Sequence, residues 1–567
     1  MPNHTPPPTA CSGGCSGGRS GGRILADQLR LHGVDHAFCV PGESYLALLD
    51  ALADHQDAIA LTVCRQEGGA AYMADAYGKL TGRPGLCLVT RGPGASNAMV
   101  GVHLAQQDST PMILLVGQVA RSMRHREAFQ EVDLRGMFGT IAKWVADIDD
   151  AARIPEMIAH AFHTATAGRP GPVVLGLPED MLRSVAEVAD ARPWQPARPH
   201  PAPRDVAAVR ALLAAAHRPF VIAGGGPWSA RAKADLESFA TANRLPVGVS
   251  FRCQDYVDNT LPIYAGDVGI GINPALAKRI ADSDLLIVVG PRLGEMTTGG
   301  YTLIDLPTPR QPLVHVHADA EELGRVYTPT LAINAAPEGF LAQLAALPAV
   351  DGSRWADWTA AAHADYQTWN TPAPSEGALD LGAVIKHLRS ALPPDAILTN
   401  GAGNYAIWHH RFNQWTTWRT QLAPTNGTMG YGTPAAVAAA RLHPGRTVVA
   451  LAGDGCFLMN GQEFATAVHY ALPIIVIVIN NGMYGTIRMH QERAYPGRVH
   501  GTTLTNPDFA ALARAYGAFG AVVERTEDFK GAFAEARACG GPALLELRVD
   551  PDVITPTTTL RALRRQG

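Results

Sequence analysis

An aspartate between two glycines, Gly453-Asp454-Gly455, is followed after 24 intervening residues by two amides, Asn480-Asn481. Each group ends an apolar run, Thr447 to Ala452 before the first and PIIVIVI before the second. If both runs are strands of one parallel sheet, their carboxyl ends open into the same crevice. The glycines let backbone approach a phosphate, and the helix that follows offers its N-terminus to it. Asp454, Asn481 and a nearby backbone carbonyl are hard oxygen ligands, suited to a Mg²⁺ that keeps phosphate oxygens in its shell. By itself GDG also describes a tight strand-to-helix turn. The strand–helix–strand unit joining it to the amide pair is what makes the pattern specific.

Other residues have chemistry of their own. Glu67, in VCRQEGGAAYMADAY, stands where an apolar run meets a helical one, a position that presents a side chain. It is equally a Glu that a helix macrodipole would favour. His490, in GTIRMHQER, could exchange a proton near neutral pH or lie on the surface. Met429 sits between glycines in NGTMGYGTPAAVAAA, where a plain core methionine would be less expected.

The elements that position them follow from length and pattern. A chain of 567 residues exceeds one core, and three domains are expected. Residues 1–22 (MPNHTPPPTACSGGCSGGRSGG) are Pro/Gly/Ser-rich with no apolar core, so a disordered tail is expected and not a secretory signal. A first domain spans 23–185, with strand-like segments at 58–63, 85–90 and 111–117 and helical segments at 69–80 and 95–107. A linker with five prolines spans 186–205. A second domain spans 206–348, with strands at 219–223, 246–251, 285–289 and 313–317. Its Gly224-Gly225-Gly226 turn reads as a routine strand–helix connection that could also admit a nucleotide. A second linker spans 349–378, a third domain 379–550, and a short tail 551–567. Strands alternating with helices predict an α/β fold of three doubly wound parallel-sheet domains. The unit TVVALAGDG–helix–PIIVIVINN echoes GLCLVTRGPG–helix–PMILLVGQV, which predicts the same architecture near both ends.

GDG, its spacing to NN, and the segments around Glu67 and Met429 together resemble the acetolactate-synthase-like thiamin-diphosphate (ThDP) enzymes, a family that includes pyruvate decarboxylases. The resemblance covers nearly all of the chain beyond residue 22. It implies pyrimidine-binding, central Rossmann-like and diphosphate-binding domains, in that order. It implies a cofactor lying across a subunit interface, in a homodimer or homotetramer. Glu67 would hydrogen-bond N1′ of ThDP and promote the tautomer that deprotonates C2. Met429 would wedge the cofactor into its bent form, with the Gly427 carbonyl and Met429 amide on the pyrimidine. Asp454, Asn481 and the Met483 carbonyl would hold Mg²⁺. Gly453, Gly455, Cys456 and Asn404 would meet the diphosphate. Gln130, in FQEVD, matches a pocket glutamine, and Glu43 and Ser44 would approach C2.

The implied reaction makes or breaks a C–C bond beside a carbonyl, through a C2-carbanion and enamine. The donor would be a 2-oxo acid and the acceptor a proton, an aldehyde or a ketone. The chain departs from the synthases at three places. Met296 replaces an Arg that recognises the acceptor carboxylate, and a thioether cannot make that bidentate contact. His490 replaces a pocket Trp. His317 and Ala336 replace acidic residues of FAD-binding synthases, although Arg292 and Asp319 match, so FAD is possible. True acetolactate synthesis from two pyruvates is one alternative. A catalytically silent nucleotide-binding regulatory homologue is another. The net charge of −4 offers no electrostatic case for nucleic acid or anionic membranes. No run approaches the roughly 18 apolar residues of a membrane span. The eight cysteines are scattered, as in a reduced, cytoplasmic protein. Cys11 and Cys15 alone have metal-like spacing.

Overall fold

The computed structural model describes residues 18–566, so the Cys11–Cys15 pair lies outside the described residues. Three six-stranded sheets carry the chain. In the first the spatial order is Ala60–Val63, His36–Cys39, Gly85–Val89, Met112–Gln118, Pro172–Pro178, Trp144–Asp147, all parallel. In the third it is Gln421–Leu422, Ile397–Asn400, Val448–Gly453, Ile474–Asn480, Ala543–Arg548, Phe519–Val523, again all parallel. Numbered along the chain, both sheets run 2-1-3-4-6-5, so the echo between the two ends is a repeated topology. The middle sheet runs Tyr264–Val268, Val247–Ser250, Pro219–Ala223, Leu285–Val289, Leu313–His317, Leu331–Asn334. That is 3-2-1-4-5-6, the doubly wound order that binds dinucleotides. Central strands such as Met112–Gln118 and Leu285–Val289 are buried throughout. Helices on both faces allow no alternation of polar residues.

The first and third domains share one hydrophobic cluster. Helix Glu67–Thr81 packs on helix Gly432–Leu442 through alanines, among them Ala70, Ala71, Ala74, Ala435 and Ala439, all buried. Polar bonds fix the register of the two helices. Lys79 bridges Asp75 at 2.9 Å and Asp108 at 2.5 Å, and the Tyr431 hydroxyl donates to Asp75 at 2.9 Å. The Tyr72 hydroxyl meets Thr428 Oγ1 at 2.5 Å. The element that begins with Glu67 is thus bolted to the segment that carries Met429.

Three boundaries differ from expectation. The ordered first domain begins before Arg23: strand Arg19–Ser20 pairs antiparallel with Val185–Ala186, and helix Gly21–Leu31 follows. Gly22 belongs to packing, since a Cβ there would lie 2.3 Å from the Ala47 carbonyl oxygen. The expected linker 349–378 contains helix Ala356–Asn370, whose Tyr366 meets Tyr264 edge-on at 4.7 Å, so it belongs to the central domain. The C-terminal tail is docked: helix Leu560–Gln566 lies against helix Gly485–Ala494, and Arg564 pairs with buried Glu492 at 2.6 Å.

Candidate active site

Strand Val448–Gly453 pairs in parallel with Ile474–Asn480, and helix Asp454–Asn460 starts at once from the first. Asp454 and Asn481 therefore stand at neighbouring carboxyl ends, as their spacing suggests. Asp454 is 2 % exposed. Its Oδ2 accepts from the Gly482 amide at 2.9 Å and from Asn506 Nδ2 at 2.7 Å. Burial raises its pKa, against the lowering pull of those bonds. Among the described residues no Lys, Arg or His pairs with it. A buried carboxylate without a cationic side chain normally meets a metal or a proton.

Around it the amides form a fixed frame. Asn506 Nδ2 also donates to Asn480 Oδ1 at 2.9 Å, and Asn480 Nδ2 donates to Glu546 at 2.8 Å. Asn506 Oδ1 is buried without a partner. Asn481 Oδ1 accepts from the Met483 amide at 3.2 Å. The bonds Tyr484 N to Thr502 O and Leu504 N to Gly482 O clamp this loop while skipping the Met483 carbonyl. One carboxylate, one amide and one carbonyl converge here, a hard-oxygen set that fits Mg²⁺. Among the described residues there is no group of three His, Cys, Asp or Glu side chains able to hold a metal.

These residues line a cavity of about 960 Å³. Asn404, Gly427, Met429, Gly453, Asp454, Gly455, Cys456, Asn481 and Met483 all border it. Met429 is half-buried beside Gly427 and Gly430, both at positive φ (72° and 81°). The Cys456 thiol turns inward, accepting from the Gly430 amide at 3.2 Å and lying 3.3 Å from the Tyr405 hydroxyl. The Asn404 side chain is tied to the Ile554 carbonyl at 3.0 Å and Thr486 Oγ1 at 2.8 Å. Met296 and Arg292 border the cavity from the central domain.

Glu67 does not line this cavity. It is the first residue of its helix, half-buried, and its Oε2 accepts from Asn97 Nδ2 at 2.8 Å. It sits at the carboxyl end of the first sheet, after edge strand Ala60–Val63. Gln130 lies half-buried in a loop over this end, at φ 64°, with its carbonyl accepting from Gly92 N at 3.0 Å. Ser44 is fully buried against Gly117 and Thr90, whereas Glu43 is exposed, 3.6 Å from Arg91. His490 is exposed on helix Gly485–Ala494 and borders no part of the cavity. Sequence reasoning missed Asn506, Asn97 and Glu463, and it singled out the Asn480-Asn481 pair without giving Asn480 a role. Asn506, in an Asn-Pro turn 52 residues from Asp454, has no local pattern that announces it.

Three family models match: a thiamine pyrophosphate enzyme N-terminal TPP binding domain over residues 19–137, a central domain over 206–344, and a C-terminal TPP binding domain over 401–547. The acetolactate synthase large subunit of Parasynechococcus marenigrum is 34 % identical, with 93 % of this chain and 86 % of that protein covered. The isozyme 2 large subunit of Escherichia coli is 32 % identical, covering 92 % and 94 %. A probable acetolactate synthase large subunit of Methanocaldococcus jannaschii is 30 % identical, covering 93 % and 91 %. With three matched domains on three sheets, the chain belongs to the acetolactate-synthase-like family of thiamin-diphosphate-dependent enzymes, which make or break a carbon–carbon bond beside a carbonyl.

Proposed function

We propose that this enzyme takes a 2-oxo acid as donor and an aldehyde or ketone, or a proton, as acceptor. Asp454, Asn481 and the Met483 carbonyl would hold a Mg²⁺ that grips the cofactor diphosphate. The observation that carries the metal reading is the buried Asp454 with no cationic partner. Bound there, ThDP supplies an electron sink for the bond being broken. The chain does the rest. Helix Asp454–Asn460 offers its N-terminus to the diphosphate. Met429, at the cavity wall, would press on the cofactor from the third domain, and Glu67 would hold a proton at its pyrimidine. Gln130 is proposed to act on substrate from the same side as Glu67, and His490 from the third-domain side, on helix Gly485–Ala494.

Since Glu67 does not line the cavity at Asp454, two chains would complete each site, in a homodimer or homotetramer. Exposed apolar side chains near the two half-sites support this: Leu46, Val100 and Phe129 near Glu67, and Leu458 and Met459 on the Asp454 helix, are 38–72 % exposed. A fully active monomer would contradict it. No helix among the described residues is long and apolar enough to cross a membrane. The six cysteines from Cys39 to Cys539 carry free thiols, and a cytoplasmic setting is proposed.

The central end of the cavity is the proposed place of FAD. Gly225, Gly226 and Arg292 border it at the sheet's switch point. Arg252 Nε and Nη1 are buried there without partners, as is Asp267 Oδ1. Burial holds the Arg252 pKa down to about 10 and raises that of Asp267 to about 7. Asp319 and His317 bond to each other away from the cavity, so of the two residues matched to FAD-binding relatives Arg292 alone lines it. Protein purified without flavin absorbance, yet active with ThDP, would remove FAD from this reading.

The deciding experiment is product analysis of ThDP- and Mg²⁺-loaded protein given 2-oxo acids with and without aldehydes. Acetolactate from pyruvate alone would establish the second reading, which the relatives' names favour. Met296, at the cavity wall, supports an acceptor without a carboxylate. Tight ThDP binding with no turnover of any 2-oxo acid would overturn the proposal. The amide frame gives a further expected result. Asn506→Ala keeps Asp454 but removes its brace, and should weaken Mg²⁺-supported ThDP binding by about 10–100-fold. Titration of intrinsic fluorescence with ThDP would show it; an unchanged midpoint would mean that the frame does not tune the ligand.

A further inference from the structure

We infer that Glu463 is a positioning residue that sets where Glu67 stands, which rests on the reading that Glu67 acts on the cofactor. Glu463 lies in the third domain, on helix Glu463–His469, immediately after the helix that Asp454 begins. It is fully buried, and no cationic side chain pairs with it among the described residues. Its Oε1 accepts from two consecutive backbone amides of the first domain, Arg65 at 3.0 Å and Gln66 at 2.9 Å. Its Oε2 accepts from Thr466 Oγ1 at 2.6 Å. Glu67 is the next residue after that pair.

The turn at Arg65–Gln66 links strand Ala60–Val63 to helix Glu67–Thr81, and its amides have no ladder partner. Buried amides need an acceptor, and Glu463 is the one that they have. Gln66 in turn caps the helix, its Oε1 accepting from Gly69 N at 3.0 Å. Gly69 lets the carboxylate come this close: a Cβ there would lie 2.6 Å from Glu463 Oε1. The carboxylate therefore fixes backbone on the N-terminal side of Glu67, while Asn97 holds the Glu67 carboxylate itself. A displacement of about 1 Å at a catalytic group can cost 10²-fold in rate.

The acceptor geometry sets the test. A glutamine keeps one carbonyl oxygen for both amides and can donate to Thr466 Oγ1. Alanine leaves both amides unpaired. In the cofactor-free protein, Glu463→Ala should lose the slow hydrogen exchange of the Arg65 and Gln66 amides, and Glu463→Gln should keep it. Loaded with ThDP and Mg²⁺, Glu463→Ala should retain the cofactor but exchange its C2 proton about 10–100-fold more slowly, with Glu463→Gln near the unmodified enzyme. Adding Glu67→Gln to Glu463→Ala should bring less than the sum of the two losses. If Glu463→Ala does not fold, Gly69→Ala, which pushes the carboxylate back, should give the same slowing.

Normal C2 exchange in Glu463→Ala or Gly69→Ala, with Glu67→Gln slow, would overturn this inference alone. Normal exchange in Glu67→Gln would overturn the Glu67 reading on which it rests. Equal loss in Glu463→Gln and Glu463→Ala would also overturn it, because the charge itself would then be in use.

Discussion

Glu67→Gln will keep ThDP bound but slow hydrogen–deuterium exchange at its C2 by roughly 10²–10⁴-fold, the range that a positioned acid or base supplies. The substitution preserves shape. A glutamine at the first helical position can still accept from Asn97 Nδ2, which now lies 2.8 Å from Oε2. Gly94 faces Glu67 Oε1 with room to spare, 3.6 Å from a built Cβ, so the amide causes no crowding. What is lost is the anion. A hydrogen bond to a carboxylate is about twice as strong as one to a neutral acceptor, and the helix N-terminus favours negative charge at this place. Retention is expected because the proposed diphosphate and metal contacts lie in another domain. The check is NMR of the bound cofactor after acid quench over a time course in D₂O. An unchanged exchange rate would remove Glu67 from the mechanism.

That Glu67 could be singled out, and Asn506 and Glu463 could not, has a physical reason. Strand-to-helix junctions are local: apolar runs, glycines and a helical period place Glu67, Asp454 and Asn481 within a residue or two of where they stand. The three-sheet architecture was legible for the same cause, since fully buried parallel strands read as unbroken apolar runs such as PIIVIVI. Two central-domain strands, Tyr264–Val268 and Leu331–Asn334, were not legible, because the first carries Gly266 and Asp267 and the second is an edge strand with alternating exposure. Partners across long separations leave no spacing. Glu463 is almost 400 residues from Gln66, and Asn506 lies beyond the whole helix that follows Asn481. Glycines were legible as turns but misleading at residues 18–22, where Gly21 and Gly22 serve close packing in place of disorder. The side on which His490 is exposed could not be read either, since helix Gly485–Ala494 buries Met489 and Glu492 under the docked C-terminal helix.

Asp454→Ala will abolish Mg²⁺-dependent retention of ThDP. The loss should exceed the 10–100-fold typical of removing an outer-shell partner, because the proposed direct ligand goes. The carboxylate is also the acceptor for Gly482 N and Asn506 Nδ2. Leaving those two donors unpaired costs about 1–3 kcal/mol each if water does not reach them, so a lower melting temperature is expected as well. Asp454→Asn separates the two effects, since one amide oxygen can still accept both bonds, which fall on the same Oδ2, while the negative charge is gone. Proton competition gives the sign of the pH dependence. Burial raises the Asp454 pKa above the ordinary 3.8, so the folded, cofactor-free protein binds a proton here more readily than the unfolded chain does. Between the two values the cofactor-free fold loses stability as pH rises. Mg²⁺ needs the deprotonated ligand, so the stabilisation that Mg²⁺ and ThDP add should be full above the raised pKa and fade as pH falls through it. Melting curves with and without Mg²⁺ and ThDP across mildly acidic to neutral pH would show that convergence. In Asp454→Ala the two curves should coincide at every pH, and cofactor still present after dialysis of that variant would refute the ligand assignment.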